Sequence, residues 1–229
     1  RTTVWGFYDG NMLAALERVT DHKEQPGKGE PRHRHWVIRT KKVVLATGAM
    51  ERPLIFPGND RPGVMLASAA RRYANEFGVL AGSKVALFTN NDNAYHAAVA
   101  LQKAGAGIAA IIDVRANISD AMRNLASDAG AQIHTGHAVV ATDGSAAVAG
   151  IKVQRFDATN GGLSGEARTI QADCLLMSGG WSPAIHLASQ AGAKARWDNE
   201  LQAFLPPEPT QSWIGAGAFN GSFSTTEAI

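Results

Sequence analysis

Short apolar runs and one alanine-rich segment alternate in the middle of the chain, and polar turns separate them. Residues 84–88, KVALF, predict a short buried strand, and residues 108–112, IAAII, predict another. The alanine-rich segment between them predicts a helix that ends at Gly105. A strand, a tight turn, a helix and a second strand in this order are typical of a parallel α/β unit.

Further elements flank this unit on both sides. A helix is predicted over Ala67–Phe77, and a second near residues 119–129, where Ser119 is a plausible N-cap and Gly130 a stop. Additional strands are predicted at residues 132–134, 148–156, 168–170 and 173–177, the middle two forming a hairpin around residues 160–162. The period of strands and helices predicts a parallel sheet with a β excursion.

The first part of the chain predicts strands without helices. Residues 3–8 and 12–19 predict two strands that are joined by a hairpin turn at residues 9–11. Residues 35–38 and 42–45 predict two more, after a polar insert. We therefore expect this part to be antiparallel β structure.

The last part of the chain, residues 181–229, shows little regular pattern apart from a stiff proline-rich turn at residues 205–209. Residues 225–229 predict the opening of a helix, and the chain starts at an arginine. Both observations indicate a piece of a longer polypeptide.

Composition excludes several classes of protein. The 229 residues are 45% hydrophobic and 18% charged, as in an ordinary globular protein, and the net charge of +2 is too small to indicate nucleic-acid binding. No apolar run approaches the roughly 20 residues that cross a bilayer, and nothing resembles a signal peptide. We expect a cytoplasmic protein that binds neither nucleic acid nor membrane.

The single cysteine, Cys174, lies inside an apolar run. One cysteine excludes a Cys-x-x-Cys redox pair and any disulfide within the chain. A nucleophilic role is the alternative to a small core residue on a buried strand, and we expect the core residue.

The turn after the first predicted strand stands where a dinucleotide-binding loop is expected. The three small positions of the G-x-G-x-x-G/A pattern are here Thr89, Asn91 and Ala94. Thr89 and Asn91 put side chains where a pyrophosphate would approach, whereas Ala94 suits helix–strand packing. Because asparagine tolerates left-handed backbone angles, we predict that the loop keeps its shape but does not bind pyrophosphate tightly.

Asp113 stands at the end of the second predicted strand. An acidic residue about 20 residues after such a loop can accept the two ribose hydroxyls of an adenosine. Arg115 could instead meet a 2′-phosphate. A merely charged strand exit remains an equal alternative.

Two predicted strands end in small residues that precede a proline. Residues 46–49, ATGA, follow the apolar run at 43–45, and residues 178–180, SGG, follow the run at 174–177. Small residues at the end of a strand let a dinucleotide or a crossing chain come close to the backbone.

Other polar residues offer weaker candidates. Residues 32–35, RHRH, could form an anion site, but a solvated loop or strand edge is favoured because no acidic partner or metal-ligand spacing accompanies them in sequence. His96 is expected on a helix surface, and His134 and His137 flank a loop without carboxylate or cysteine partners at ligand spacing. We predict no catalytic triad and no metal site.

Four stretches together resemble the two-dinucleotide-domain flavoproteins, the family of thioredoxin and NADH-type disulfide reductases. They are VVLATGAMERPLIFPG, GSKVALFTNNDNAYHAAVALQKAG, DCLLMSGGWSPAIHL and WIGAGAFNGSFSTTEAI. The chain departs from that family in three features: the altered loop, the missing cysteine pair, and Ala218 where the family has an aspartate. These departures point to a narrower group of relatives. The chain is most similar to the alpha subunits of heterotetrameric sarcosine oxidases, with the related opine oxidase and hydrogen cyanide synthase subunits.

This resemblance implies an α/β fold in which a Rossmann-like parallel-sheet domain with a β-meander is inserted in the remnant of a second FAD/NAD-binding domain. Residues 1–58 would hold the meander and the Thr47–Gly48 return of the first domain, 59–180 the inserted NAD(P)-binding-like domain, and 181–229 the return to the first. A segment before Arg1 would supply the intact glycine loop.

The resemblance also implies cofactors. The family aspartate would contact the ribitol of FAD, and NAD has no ribitol, so Ala218 is compatible with NAD in the full subunit. FAD and FMN would belong to the complex, on or against a partner subunit. The implied cofactor-binding residues are Thr47, Gly48, Ala49, Asn91, Asn93, Asp113, Arg115, Gly215, Gly217 and Phe219.

Three functions stay open. The first is a dinucleotide-binding subunit of an amine oxidase that joins other oxidase subunits in a hetero-oligomer and converts sarcosine to glycine, formaldehyde and hydrogen peroxide. The second is an NAD(P)H-dependent flavoprotein reductase, which needs an intact phosphate loop. The third is a non-catalytic assembly module. In the first and third cases the isolated chain would be inactive.

Overall fold

A computed structural model describes residues 1–192, 194–224 and 226. The chain divides into two compact units, Arg1–Met50 with Trp181–Ile229, and Glu51–Gly180. Residues 51–58, which the resemblance places in the first domain, belong to the second unit, where Phe56 packs on Phe88 with ring centroids 5.9 Å apart. The predicted helix opening at 225–229 lies outside the described residues except for Thr226.

The first unit begins with an antiparallel meander of three strands, in the order β1 (Thr2–Tyr8), β2 (Met12–Arg18) and β3 (His33–Arg39). The predicted hairpin turn is confirmed: Gly10 and Asn11 both have left-handed backbone angles, with φ of 69° and 53°. Two short strands follow, β4 (Val43–Leu45) and β5 (Ala49–Glu51).

The second unit contains the predicted parallel sheet, and the α/β prediction is confirmed. Its strands are β6 (Val64–Leu66), β7 (Lys84–Thr89), β8 (Gly107–Asp113), β9 (Gln132–Thr135) and β13 (Cys174–Ser178), in the order β6-β13-β7-β8-β9. Three helices, α1 (Ala67–Phe77), α2 (Asn93–Lys103) and α3 (Asp120–Asp128), connect them. The Ser119 side chain accepts the Met122 N–H at the start of α3, as predicted for an N-cap.

Alanines explain how closely the helices approach the sheet. On α2, Ala94, Ala97 and Ala98 are buried, and the long side chains on the same face are Tyr95 and Leu101. They share a core with residues of α1, α3 and one face of the sheet. Small side chains at these positions let the helix axis lie near the strands and leave room for the tyrosine ring.

The other face of the sheet is covered by a second antiparallel meander. The strands are β10 (His137–Asp143), β11 (Gly150–Asp157) and β12 (Gly162–Gln171), in that order across the sheet. The sequence predicts a hairpin of two strands here, at the places of β11 and β12, and misses β10. β10 follows β9 after the single residue Gly136, whose φ is 62°, and so no turn-rich stretch marks its start in the sequence.

The chain then returns to the first unit through short elements: β14 (Trp181–Pro183), which pairs with β5, α4 (His186–Gln190), β15 (Arg196–Asp198), β16 (Ala203–Leu205) and β17 (Trp213–Gly215). A 3-10 turn, Gly217–Asn220, follows. The core of this unit gathers Phe7, Val43, Leu45, Ala188, Ala191, Trp213 and Phe219. Strands of three residues are too short to show a period, which is why the sequence has no clear pattern here. Within the described part of the chain, no helix has both the length and the apolar character that a bilayer crossing needs.

Cys174 is fully buried on β13, as predicted, and burial and the neighbouring Asp173 raise the pKa of its thiol to about 12. A thiol that is neither ionised nor exposed does not react. We expect no labelling of the native protein by a thiol-specific reagent and complete labelling after denaturation in urea. Rapid reaction in the native state would show that β13 opens or that the thiol is activated.

Candidate functional site

The loop after β7 is held by its own side chains. Thr89 is fully buried; its hydroxyl bonds the Ser178 carbonyl oxygen at 3.0 Å and accepts the Asn91 N–H at 3.0 Å. The expectation that this side chain fills the pyrophosphate space is therefore wrong. The threonine turns into the sheet and ties β7 to β13, because a hydroxyl at that position can satisfy two backbone groups at once.

The Asn91 side chain makes the hydrogen bonds that fix the turn before α2. Its carboxamide donates to the Ser178 carbonyl oxygen at 2.8 Å and accepts the Asn93 N–H at 3.0 Å. The expected left-handed backbone is not used: among described residues other than glycine, positive φ occurs at Asn11 and Gln202. The Asn93 N–H belongs to the first turn of α2, where a phosphate would bind. A phosphate must therefore displace the Asn91 side chain.

Asp113 lies at the end of β8 as predicted, and its carboxylate is fully buried. It accepts hydrogen bonds from the Tyr95 hydroxyl at 2.9 Å, from the Arg115 N–H at 2.9 Å and from the Arg115 guanidinium at 2.8 Å. Both carboxylate oxygens are thus engaged by the chain itself. A ribose would have to compete with these donors.

Arg115 bridges two acids. Its guanidinium lies 2.8 Å from Asp113 and 2.7 Å from Asp92, which immediately precedes α2. Burial opposes the charge on Arg115, but the hydrogen bonds to Asp113 and Asp92 outweigh it and raise its pKa. Burial and the Asp113 charge raise the pKa of Tyr95 in turn. Tyr95, which the sequence pattern does not predict, completes a network that closes the adenosine end of the loop.

A second group of predicted residues meets in the first unit. β4 and β17 run parallel, and the Ala216 N–H donates to the Leu45 carbonyl oxygen at 2.9 Å where they end. This brings residues 47–49 and 215–219 to the same edge. The Thr47 hydroxyl donates to the Ala184 carbonyl oxygen at 2.7 Å, which fixes the turn after β4.

Glycines leave open space at this edge. Gly48 and Gly217 have φ of 76° and 62°, and a Cβ added to either would meet no atom within 4 Å. Such positions let a ligand approach the backbone closely. Ala49 and Ala218 are half-buried beside them. The backbone at this edge is therefore open, whereas the loop after β7 is filled by its own side chains.

Gly215 and Phe219 serve packing. A Cβ on Gly215 would lie 2.6 Å from the Phe219 ring and would also clash with the Asn220 side chain. Phe219 is fully buried and packs edge-to-face on Trp213, with centroids 6.0 Å apart. Its side chain supports the turn from beneath and presents no surface to a ligand.

At the second pair of small residues, Gly179 and Gly180, the sequence leaves open a dinucleotide or a crossing chain. The structure shows the crossing chain. The Gly179 N–H donates to the Arg52 carbonyl oxygen at 2.8 Å, and a Cβ on Gly179 would lie 2.7 Å from that oxygen.

The basic run at residues 32–35 has acidic partners after all. Arg32 and His33 both contact Asp21, at 2.7 and 2.8 Å, and Arg34 contacts Glu17 at 3.0 Å. The Arg32 and His33 hydrogen bonds lower the pKa of Asp21 to about 2. The prediction of a strand edge stands, but its stated reason was wrong, because the acids come from distant positions in the sequence.

The histidines form no metal site in residues 1–192, 194–224 and 226, where no group of three His, Cys, Asp or Glu side chains could hold an ion. His96 is exposed on α2 as expected. His134 and His137 lie together, with ring centroids 5.8 Å apart.

The chain is similar along its whole length to one segment of sarcosine oxidase alpha subunits. It is 44% identical to the one from Corynebacterium sp. (strain U-96) and 41% identical to that from Rhizobium meliloti, over 100% and 99% of this chain. The chain spans 24% and 21% of those relatives. A subunit of opine oxidase from Agrobacterium tumefaciens is 27% identical over 90% of this chain, which spans 42% of that relative. No family model matches the chain.

Solved structures show the same fold at low sequence identity. Thioredoxin reductase from T. acidophilum has a TM-score of 0.63 at 16% identity, covering 84% of this chain and 62% of its own. Bacillithiol disulfide reductase from Staphylococcus aureus has a TM-score of 0.62 at 16% identity, covering 99% and 66%. The resemblance to part of the sarcosine oxidase alpha subunits is confirmed by these identities, and the two reductases share the fold.

Proposed function

We propose that these residues form the dinucleotide-binding part of one subunit of a sarcosine-oxidase-like amine oxidoreductase. The observation that carries this proposal is that the whole chain is 44% identical to part of a sarcosine oxidase alpha subunit. Because the chain spans 24% of that relative, the activity belongs to a larger polypeptide and its partner subunits.

In this proposal the first unit holds NAD in the full subunit. The open backbone at Gly48 and Gly217 supports it, because both positions let a pyrophosphate or ribose come close. Ala218 supports it as well, since no carboxylate stands there to bind a ribitol. FAD and FMN would belong to other parts of a cytoplasmic hetero-oligomeric complex.

The proposed complex converts sarcosine, oxygen and water to glycine, formaldehyde and hydrogen peroxide. A flavin held elsewhere in the complex would supply the acceptor for the two electrons of the N-methyl group, which oxygen would finally receive. The residues described here supply binding and positioning of a dinucleotide. The buried network of Asp113, Tyr95 and Arg115 is internally paired and is not proposed to act on the amine.

The test is to purify the complete polypeptide with the subunits that accompany it and to measure peroxide release with sarcosine and with glycine. Peroxide that depends on sarcosine and not on glycine is the expected result. NADH oxidation with visible flavin absorbance, but no response to sarcosine, would support the reductase instead. A complex with neither activity would leave the assembly module.

The isolated 229-residue chain is expected to show no oxidase activity. It offers no flavin-specific aspartate and no acid–base constellation for the amine. A peroxide assay with added FAD and sarcosine measures this. Turnover of even about 1 s⁻¹, as in a slow ordinary enzyme, would contradict the proposal that the flavin chemistry lies elsewhere.

The chain alone is also expected to bind NAD and NADP no better than roughly 1 mM, about 4 kcal/mol. The Asn91 side chain accepts the Asn93 N–H, and Asp113 is paired with Arg115 and accepts the Tyr95 hydroxyl. A nucleotide must break these bonds to enter the loop. Calorimetry with both cofactors is the measurement. A micromolar dissociation constant that Asn91→Asp or Asp113→Ala abolishes would show a working site in the second unit.

A further inference from the structure

A cleft of about 1170 Å³ lies within the second unit, beside the carboxyl ends of β8 and β9. Val114 and Ala116 line it just after β8, residues 134–137 line it around the end of β9, and β11 and β12 form the opposite wall. None of the described residues that line it belongs to the loop at 89–93. Ligands of parallel α/β sheets bind at this end of the strands, and a volume of this size accommodates a small molecule.

His134 faces the meander from the last strand of the parallel sheet. In the β8–β9 pairing Ile111 lies opposite Ile133, and Ile112 lies opposite His134. Ile133 packs in the core on the helix side and Ile112 in the core on the meander side. Because side chains alternate along a strand, His134 shares the meander side with Ile112. An imidazole therefore stands where the neighbouring strand has an apolar residue.

The Nε2 atom of His134 is buried and has no hydrogen-bond partner in the described protein. Burial is the main cause that lowers the pKa of this imidazole, followed by the nearby charges of His137 and Arg168. A buried ring nitrogen without a partner is uncommon, because leaving it unsatisfied costs about 1–3 kcal/mol. His134 lines the cleft, so a small movement of the ring would bring this atom to a ligand there.

The meander contributes cations from its inward face. Val139 and Val153 pair across β10 and β11 and are buried against the parallel sheet. His137 pairs with Arg155 one step further along, and Arg168 pairs with Val153 across β11 and β12. The face that covers the core therefore continues beyond it with two arginines and a histidine.

Neither arginine is held in a close ion pair within the part of the chain that the structure describes. Across residues 1–192, 194–224 and 226, no carboxylate comes within 4.0 Å of the guanidinium of Arg155 or Arg168. Two acids line the same cleft. Asp157 accepts the Thr159 N–H at 2.9 Å and the Asn160 amide at 3.0 Å. The Thr159 hydrogen bonds are the main cause that lowers the pKa of Asp157, and the nearby charge of Arg155 contributes. Glu166 is exposed on β12. Both arginines are thus available to an anion.

We propose that this cleft binds a small organic oxyanion, whose phosphate or carboxylate lies among Arg155, Arg168 and His134. His137 lines the cleft, and its Nδ1 donates to the Thr135 carbonyl oxygen at 2.7 Å, which fixes the ring in place. Val114 and Phe156 offer apolar surface to the body of the molecule. This site is separate from the dinucleotide sites and does not rest on the proposed function.

Calorimetry on the 229-residue chain tests the site with phenyl phosphate and with benzoate, which share an apolar ring and differ in the oxyanion. We expect saturable, one-to-one binding of at least one of them. Arg155→Ala and Arg168→Ala should each weaken it tenfold or more. Arg71→Ala, which removes the same charge from the exposed surface of α1, should leave it unchanged.

The proposal would be overturned if neither compound bound at roughly 10 mM. That concentration is tenfold above a dissociation constant of roughly 1 mM, which corresponds to about 4 kcal/mol. An equal loss in Arg71→Ala would overturn the proposal too, because it would show non-specific attraction.

A second measurement on the wild-type chain guards against variants that fail to fold. The ring C–H resonances of His134 and His137, assigned with His134→Gln and His137→Gln, should shift during titration, while that of the exposed His96 should stay. No shift at His134 and His137, or an equal shift at His96, would overturn the assignment.

Discussion

Replacing Arg115 by methionine is expected to lower the free energy of unfolding by about 3 kcal/mol. The change leaves the fully buried Asp113 carboxylate without its cation. The donors that remain, the Tyr95 hydroxyl and the backbone N–H at position 115, do not compensate a charge. The Arg115 side chain is itself 32% exposed, so water can partly solvate the orphaned charge and the loss should lie at the low end for a buried pair.

Urea denaturation at neutral pH measures this effect, and a double-mutant cycle gives its origin. Asp113→Asn removes the charge and keeps the shape, so combining it with Arg115→Met should recover most of the stability lost in the single variant. Asp113→Asn alone should cost less, because Arg115 keeps Asp92 as a partner. Strictly additive losses would mean that the buried pair contributes nothing beyond its separate side chains.

Replacing Gly215 by alanine is expected to destabilise the first unit by about 2 kcal/mol, as for overpacking of a tight core. The added methyl would lie 2.6 Å from the Phe219 ring, which is fully buried against Trp213. The ring must move, and the edge-to-face contact between Phe219 and Trp213 must change with it. Thermal unfolding and the near-ultraviolet circular dichroism of the tryptophans report the two effects.

Gly217→Ala is the matched control two residues away. Its cost should be about 1 kcal/mol, from a left-handed backbone angle that alanine disfavours, because a Cβ there meets no atom within 4 Å. The Trp213 signal should stay as in the wild type. If both variants changed that signal equally, the packing role assigned to Gly215 would be wrong.

Elements whose pattern is local are predictable from the sequence. β7, α2 and β8 follow from it because two short apolar runs flank an alanine-rich segment and polar turns separate them. β10 does not, because Gly136 alone separates it from β9. The strands β14 to β17 do not either, because each is three residues long and is formed by its partner rather than by its own pattern.

The positions of Asp113 and Asn91 were predictable, but their hydrogen-bond partners were not. The strand–loop–helix spacing predicts where Asp113 and Asn91 lie. It does not predict that Tyr95 bonds Asp113, because the helix pattern does not show which strand residue a helix side chain contacts. The acid that pairs with Arg32 and His33 lies in the polar insert, where no period fixes its place. Contacts between distant segments need the fold to be known first.

The backbone at the two ends of residues 51–180 is joined by hydrogen bonds: the Arg52 N–H donates to the Gly180 carbonyl oxygen, and the Gly179 N–H donates to the Arg52 carbonyl oxygen, both at 2.8 Å. A segment whose two ends lie side by side can be inserted, removed or exchanged as one unit, because the flanking chain keeps its two attachment points close together. Recombination could therefore place this segment in a host gene, or replace it with another of different ligand preference, without redesigning the surrounding fold. Because its ends lie side by side, the segment 51–180 is also suited to circular permutation, with new termini in an exposed turn of the meander β10–β12.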